Sequence, residues 1–305
     1  MKAVYIEKFG GPEVLRYGDL PDPVPAAGEV VVDVHTASVN GADWKVRVGD
    51  YKQTKFPLGL GRDFSGVVAA AGADADLAAG DPVFGVLDAG QEGAYAEKLA
   101  VKAAIIARKP DGLSHENAAA LALTGLTALV SVEDTLKLQR GETILIQGGA
   151  GGVASFAIQL AKHIGARVIT TTSAANADYV RGLGADEVIN YGKQDFTKAV
   201  SGVDAVFETV GGDVAMKSFA VLKPGGRAAF IGSGRQAPKP PRDDVKSLRP
   251  AVGRTRRHME RVAQLYLSGA VRPPEIKLYP LSEVAEAQRV SEGRHFRGKL
   301  VFKVR

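Results

Sequence analysis

The sequence predicts an α/β protein: a β-rich, barrel-like region followed by a doubly wound parallel sheet. Three observations carry that prediction. Short strand-like runs divided by glycine and proline turns fill roughly the first hundred residues. Beyond residue 114, apolar strands alternate with helical segments. A glycine cluster at 149–152 stands between one such strand and one such helix. At roughly 150 residues per domain, the 305 residues suffice for two domains.

The elements follow in order. Residues 30–35 form a strand after the turn residues 25–28, and residues 66–70 and 81–86 form two more. Ser114, His115, Glu116 and Asn117 open a helical run to Leu138 that Gly125 is expected to break. Strands are then predicted at 143–147, 167–171, 187–189, 204–208 and 227–231, with helices at 155–162 and 176–182 between the earlier ones. The Gly-, Pro- and charge-rich stretch 232–250 reads as a long loop. Residues 259–268 read as a helix with Val262, Leu265 and Tyr266 facing a core. Residues 300–304 form a terminal strand that returns to the first region.

Composition excludes several chemistries. There is no cysteine, so disulfides, thiolate zinc sites, cysteine-ligated iron–sulfur clusters and a cysteine nucleophile are ruled out. The N-terminal segment lacks the apolar run of a signal peptide, and no stretch reaches the ~18 uninterrupted apolar residues of a membrane span. A cytoplasmic protein without a membrane partner is the expectation. The net charge of +5 is modest, and its basic residues concentrate between Arg235 and Arg261. That segment reads as a solvated helix and loop face, a phosphate-facing edge of a cleft, or a nucleic-acid surface. Its want of interleaved aromatics disfavours the last.

Gly149, Ala150, Gly151, Gly152, Val153 and Ala154 follow a predicted strand and open a predicted helix. In that context the glycines form a dinucleotide fingerprint. Gly149 makes the tight turn, Gly151 admits pyrophosphate to the backbone, and Ala154 keeps helix and sheet close. The helix N-terminus faces the phosphates. An NAD site usually carries Asp or Glu at the end of the second strand, whereas this chain offers Thr170, Thr171, Thr172 and Ser173. NADP is therefore preferred to NAD, with Thr172 and Ser173 as donors to the 2′-phosphate.

Taken together, residues 38–45 (Ser-Val-Asn-Gly-Ala-Asp-Trp-Lys), 61–68 (Gly-Arg-Asp-Phe-Ser-Gly-Val-Val), 123–128 (Leu-Thr-Gly-Leu-Thr-Ala), the glycine cluster, 183–186 (Leu-Gly-Ala-Asp) and 297–301 (Arg-Gly-Lys-Leu-Val) resemble the medium-chain dehydrogenase/reductase superfamily, in particular its zinc-free NADPH:quinone oxidoreductase branch. The resemblance covers nearly the whole chain. It implies a GroES-like β-rich catalytic domain from residues 1–120 and 261–305, with a Rossmann NADP-binding domain inserted at 121–260. It also implies a homodimer and hydride transfer from NADPH to quinones or activated enones.

The zinc-dependent relatives need cysteine where this chain has Asp43, and a histidine and an acidic residue at the positions of Arg62 and Asp63. The five histidines show no ligand spacing, so no metal is expected. By resemblance, Asn40 lies near the nicotinamide and Thr127 near the nicotinamide ribose and diphosphate. Tyr51 matches an active-site tyrosine. Lys45 is either a donor to substrate oxygen or a solvated lysine, and Arg47 either a structural pair or a pocket charge. Tyr191 matches a residue beside the 2′-phosphate. Val210 passes the adenosine ribose, and Ile231 and Gly232 approach the nicotinamide. Phe296, Arg297 and Lys299 return toward the cofactor, with Arg297 or Lys299 as phosphate contacts. Two other functions fit the sequence: an alkenal or enoyl-thioester double-bond reductase, and a non-catalytic NADPH-sensing or RNA-binding protein.

Overall fold

The computed structural model describes residues 1–51, 55–234 and 236–305, so Arg235, at the head of the basic segment, lies outside the described residues. The chain divides into two units. The first comprises residues 1–123, 253–267 and 273–305; the second comprises 124–252 and 268–272.

The first unit opens with β1 (Lys2–Ile6), β2 (Arg16–Asp19), β3 (Glu29–Ser38), α1 (Gly41–Arg47), β4 (Leu58–Gly59), β5 (Asp63–Ala71), β6 (Pro82–Val86), β7 (Lys98–Lys102) and β8 (Ile106–Arg108). β3 is the spine. Val30, Val32 and Val34, alternating along it, are buried without exposure, and the strand pairs antiparallel with both β5 and β7. α2 (His115–Leu129) carries the chain from the first unit into the second. Gly125 does not break it. Leu126, Ala128 and Leu129 beyond the glycine are buried, so packing on every side outweighs the roughly 1 kcal/mol that glycine costs a helix. With the π-helical turn after it, the helix spans His115–Thr135, long and apolar enough to cross a membrane by length and composition, and it is mostly buried.

The second unit runs β9 (Thr143–Ile146), α3 (Gly152–Ile164), β10 (Arg167–Thr172), α4 (Ala177–Gly182), β11 (Glu187–Asn190), α5 (Phe196–Ala199), β12 (Val203–Glu208), α6 (Asp213–Lys217), β13 (Leu222–Phe230) and β14 (Lys246–Leu248). Its six strands pair in parallel in the order β11-β10-β9-β12-β13-β14. The order reverses at β9 and β12, where doubly wound sheets open a crevice at their strand C-termini. β14 corrects the expectation of an unbroken loop over 232–250: its three residues extend the sheet beside β13. So short a strand, among prolines and charges, leaves no periodicity to read.

The chain then returns to the first unit through α7 (Arg256–Leu267), β15 (Ile276–Pro280), α8 (Val284–Gly293) and β16 (Lys299–Lys303). β16 pairs antiparallel with β3 and parallel with β15. The boundary expected near residue 260 falls at 253, because α7 packs on β8 within the first unit. Arg256 fastens it, donating to Ile106 O (3.0 Å) and Ala103 O (2.6 Å) and forming a two-point pair with Asp76. Arg242, Arg249 and Arg254 likewise donate to backbone carbonyls of their own units, at Leu222, Phe230 and Leu87. Arg242, Arg249, Arg254 and Arg256 thus serve as internal fastening, which weakens the nucleic-acid reading.

Candidate functional site

In the second unit the glycine cluster is a braced turn. β9 is a short apolar strand with Ile144, Leu145 and Ile146 fully buried. The positive-φ turn after it falls on Gly148 (φ +70°), one residue earlier than the sequence reading placed it. Gly149 is needed for a different reason. A Cβ there would collide with the Thr170 hydroxyl, which donates to Ile146 O at 2.6 Å. The Gly149 N–H donates to Thr171 O (2.9 Å), and the Gly148 N–H to Thr171 Oγ1 (3.1 Å). Thr171 Oγ1 in turn donates to Gln147 Oε1 (2.6 Å). Two of the three strand-end threonines therefore hold the turn in shape. Gly151 is the N-cap of α3 and offers no side-chain acceptor, so the first-turn N–H groups of α3 face outward uncapped. Ala154 is buried. A backbone cradle ending in an uncapped helix start suits a pyrophosphate.

The neighbouring strand ends supply the rest. Thr172 is buried, which leaves Ser173, half-buried and accepting from Asn176 Nδ2 (3.2 Å), as the open hydroxyl. No acidic side chain stands there. Tyr191, 59% exposed, follows β11, and register pairs Thr172 with Asn190, so Ser173 and Tyr191 share one sheet end. Lys193, also exposed, lies two residues further on. Residues 170–173 themselves carry no cation. At the ends of β12 and β13, Glu208 is buried and its Oε1 accepts from the N–H groups of Val210 and Gly211, both at 2.7 Å. Burial raises this carboxyl, against the pull of those two donors. Gly211 (φ +87°) meets Gly232 backbone to backbone: a Cβ on it would stand 2.5 Å from Gly232 O. Val210, Ile231 and Gly232 thus form one fixed rim. Thr127 lies half-buried on α2, its carbonyl accepting from Ser131 Oγ (2.6 Å).

The first unit holds a buried ionic cluster that the sequence reading only touched. Asn40, ahead of α1, receives a bond from Lys299 Nζ at Oδ1 (2.8 Å), and its Nδ2 donates to Asp63 Oδ1 (3.0 Å) and Ser38 O (3.2 Å). Both amide protons are committed, so the only capacity left to the side chain is a second acceptor site on Oδ1. Lys299 is sealed from water, donates also to Val39 O (2.7 Å), and stands 4.0 Å from Asp63 Oδ2. This corrects its assignment to cofactor phosphate: the ammonium is internal counter-charge. Burial lowers it and raises Asp63.

Next to that pair lies a second. Asp43 on α1 accepts from the Tyr95 hydroxyl and from the Asn40 N–H (2.8 Å). Arg62 Nε donates to Glu92 Oε1 (2.7 Å), and the guanidinium sits 4.9 Å from the Tyr51 ring centre. Tyr51 is 37% exposed. Among the described residues, Asp43 Oδ1 and Glu92 Oε2 are buried without hydrogen-bond partners. Burial pushes Asp43 up to about 6 and Glu92 up to about 8, in each case against the attraction of Arg62. Glu92 and Tyr95 carry no local motif; only the fold brings them to residues 43 and 62.

The other first-unit candidates are set apart from this cluster. Lys45 is half-buried, 5.7 Å from the ring centre of Trp44. Arg47 is the structural alternative of its two readings: fully buried, it binds Gly10 O (3.1 Å), Gln288 Oε1 (2.7 Å) and Glu292 Oε2 (3.0 Å), tying α1 to α8. Phe296 packs against the core of its unit, and Arg297 pairs with Glu275 at 2.7 Å.

A zinc ion does not fit here. Arg62 presents a permanent cation with no lone pair to give, and Asp43 already binds a phenol and an amide. Among the described residues no three His, Asp or Glu side chains converge as metal ligands.

Residues 26–111 match the alcohol dehydrogenase GroES-like domain, and residues 183–302 match a family described as zinc-binding dehydrogenase. The chain is 33% identical to the NADPH-dependent alkenal/one oxidoreductase of Arabidopsis thaliana chloroplasts, covering 99% of this chain and 79% of that protein. It is 36% identical in sequence to the quinone oxidoreductase of Coxiella burnetii, whose structure superposes with a TM-score of 0.92 over 100% of this chain and 99% of that one. The Escherichia coli quinone oxidoreductase complexed with NADPH superposes with a TM-score of 0.91 at 28% identity, over the full length of both chains. A GroES-like unit, a Rossmann sheet in doubly wound order and likeness along the whole chain lead to one assignment: the protein belongs to the medium-chain dehydrogenase/reductase superfamily, in its quinone oxidoreductase-like branch.

Proposed function

We propose that the protein reduces quinones or activated enones, alkenals included, with NADPH and without zinc. The observation that carries this reading is the Arg62 guanidinium, paired with Glu92 and placed under Tyr51, where zinc-using relatives need a metal ligand. A cation fixed to the chain can stabilise negative charge on a substrate oxygen, as a metal would, but it cannot ligate an alcohol. Acceptors that are already electron-poor suit such a site.

NADPH fits the second unit and when bound supplies the hydride. The Gly148–Gly151 cradle and the uncapped start of α3 would hold its pyrophosphate. Ser173, Tyr191 and Lys193 would meet the 2′-phosphate, and the rim of Val210, Ile231 and Gly232 would line the path of the adenosine and nicotinamide ends. Tyr51, 37% exposed, would donate to the acceptor oxygen. Asn40 and Lys299 act as scaffold: they hold α1 and the start of β5 in register beneath that site. The names of relatives acting on quinones and on alkenals or enones support the acceptor class. Homodimerisation belongs to the same reading and is checked by light scattering.

The test follows NADPH and NADH oxidation against quinones, 2-alkenals, enones and saturated aldehydes. Turnover of quinones or enones with NADPH preferred is the expected result. Activity confined to saturated carbonyls, or dependence on added zinc, would overturn the reading.

A further inference from the structure

The reductase reading leaves one buried group unused. Glu92 has a side chain only 1% exposed, one oxygen on Arg62 and the other without a partner among the described residues. No local motif requires an acid at this position, and an ionised carboxylate in such surroundings leaves one oxygen unsolvated.

The charges that face it come from three segments: Arg62 ahead of β5, Asp43 on α1, and Arg254 ahead of α7. Lys299 and Asp63 face each other at 4.0 Å, and Arg254 also faces Asp88, which Lys102 holds at 2.7 Å. Arg62 stands between Asp43 and Glu92. Loss of the Glu92 proton adds one negative charge directly beside Arg62, and gain of the proton removes it. The Arg62 end of the set lies 4.9 Å from the Tyr51 ring centre, and Tyr51 is 37% exposed.

We propose that Glu92 sets the charge of the acceptor site, acting through Arg62 on the position beneath Tyr51: while Glu92 holds its proton it does not offset the Arg62 charge, and loss of the proton offsets it. Glu92 is a positioning residue in this scheme. It exchanges its proton with solvent and does not touch the substrate. The inference rests on the reductase reading and adds a pH dependence to it. Negative charge that grows on the acceptor oxygen during reduction is stabilised only while Glu92 holds its proton. Burial raises the carboxyl to about 8, so the change falls within the working range of an enzyme.

The experiment measures kcat/KM for NADPH-dependent reduction of 1,4-benzoquinone between about pH 6 and pH 10 in the wild type, Glu92→Gln and Glu92→Asp. A single ionisation near 8 lowers the wild-type value about ten-fold between pH 7 and pH 9. Glu92→Gln, permanently neutral and of the same shape, should lose that alkaline limb, and Glu92→Asp should regain one. Infrared difference spectra of the protein without nucleotide give a readout independent of turnover: a protonated-carboxyl band that disappears at alkaline pH in the wild type and is missing from Glu92→Gln. A folded Glu92→Gln that keeps the wild-type limb, or spectra without a Glu92 band, overturns the proposal and leaves the reductase reading standing. Absence of NADPH oxidation with every acceptor sinks the reductase reading, and this proposal with it.

Discussion

Lys299→Met asks what the buried ammonium does. Its Nζ donates to Val39 O and Asn40 Oδ1 at 2.7 and 2.8 Å and stands 4.0 Å from Asp63 Oδ2. Methionine fills much of the same volume without charge, so Asp63 loses its counter-ion. Breaking one side of a buried pair costs roughly 3–5 kcal/mol. Asp63 keeps its bonds from Ser38 Oγ (2.8 Å) and Asn40 Nδ2 (3.0 Å), and burial already raises it toward protonation, which holds the loss near the lower figure. A loss of about 3 kcal/mol lowers Tm by roughly 6–12 °C for a unit of this size. Asp63→Asn in the same background removes the stranded charge, so the double variant should recover about 2 kcal/mol relative to simple addition. Calorimetry on the four proteins gives the cycle, and NADPH fluorescence titration, at a temperature where all are folded, should show affinity within about two-fold of wild type. A Tm change under about 2 °C with NADPH binding weakened more than about ten-fold would refute the counter-charge role and restore a phosphate contact.

The remaining predictions concern the nucleotide cradle and acid stability. Gly149→Ala drives a methyl into Thr170 and breaks its bond to Ile146 O, which should cost about 2–3 kcal/mol in denaturant unfolding and weaken NADPH binding; unchanged values for both would show that the turn is not braced by β10. Lys193→Glu should raise KM for NADPH about ten-fold and leave KM for NADH nearly unchanged, as read by initial rates. An equal effect on both nucleotides would remove Lys193 from the 2′-phosphate. His115, whose Nδ1 lies 2.8 Å from Ser65 Oγ, is pushed down to about 4 by burial, then by His35 and Lys109. A histidine lowered in the fold binds fewer protons than it does unfolded. Its stabilisation is therefore full above about pH 6.5 and drains away as pH falls toward 4. Allowing for its partial exposure, stability should fall by about 1 kcal/mol from pH 7 to pH 5, and less in His115→Gln. Equal slopes in urea titrations of the two proteins would contradict this.

What the sequence showed of the fold followed the range of the forces involved. Strands β9 to β13 were legible because each is an apolar run set off by helical segments, and that periodicity is local. β14 was not, since its three residues owe their strand form to pairing with β13, which no local pattern announces. Gly125 signalled a break because propensity is local too, whereas the packing that overrides it is tertiary. In the cradle, the motif located the turn but misplaced its strained residue by one: φ falls on Gly148, and Gly149 is required by a clash with Thr170 on another strand. The ionic cluster of the first unit was least legible. Residues 43, 62, 92 and 254 lie on separate segments, and burial alone turns common surface residue types into a coupled set.

On the reductase reading proposed above, that cluster would let the scaffold work without the metal of the zinc-using enzymes. A zinc site needs three lone-pair donors converging on a point, and its charge arrives with the ion. Here two carboxyls, Asp43 and Glu92, converge on a guanidinium that belongs to the chain. The positive charge is permanent, and under the Glu92 proposal a proton on that buried acid decides how far it is offset. A metal can also bind an alkoxide directly; the guanidinium can only donate hydrogen bonds and charge. Arg62→His would reinstate a ligand type at position 62, yet Asp43 would still be bound to Tyr95 and no cysteine is present. Added zinc should therefore leave Arg62→His no more active, while loss of the guanidinium lowers quinone reduction by at least about ten-fold. Zinc-stimulated alcohol oxidation by that single variant would show that the donor set can hold a metal after all, and that the guanidinium is not what separates this chemistry from that of the zinc enzymes.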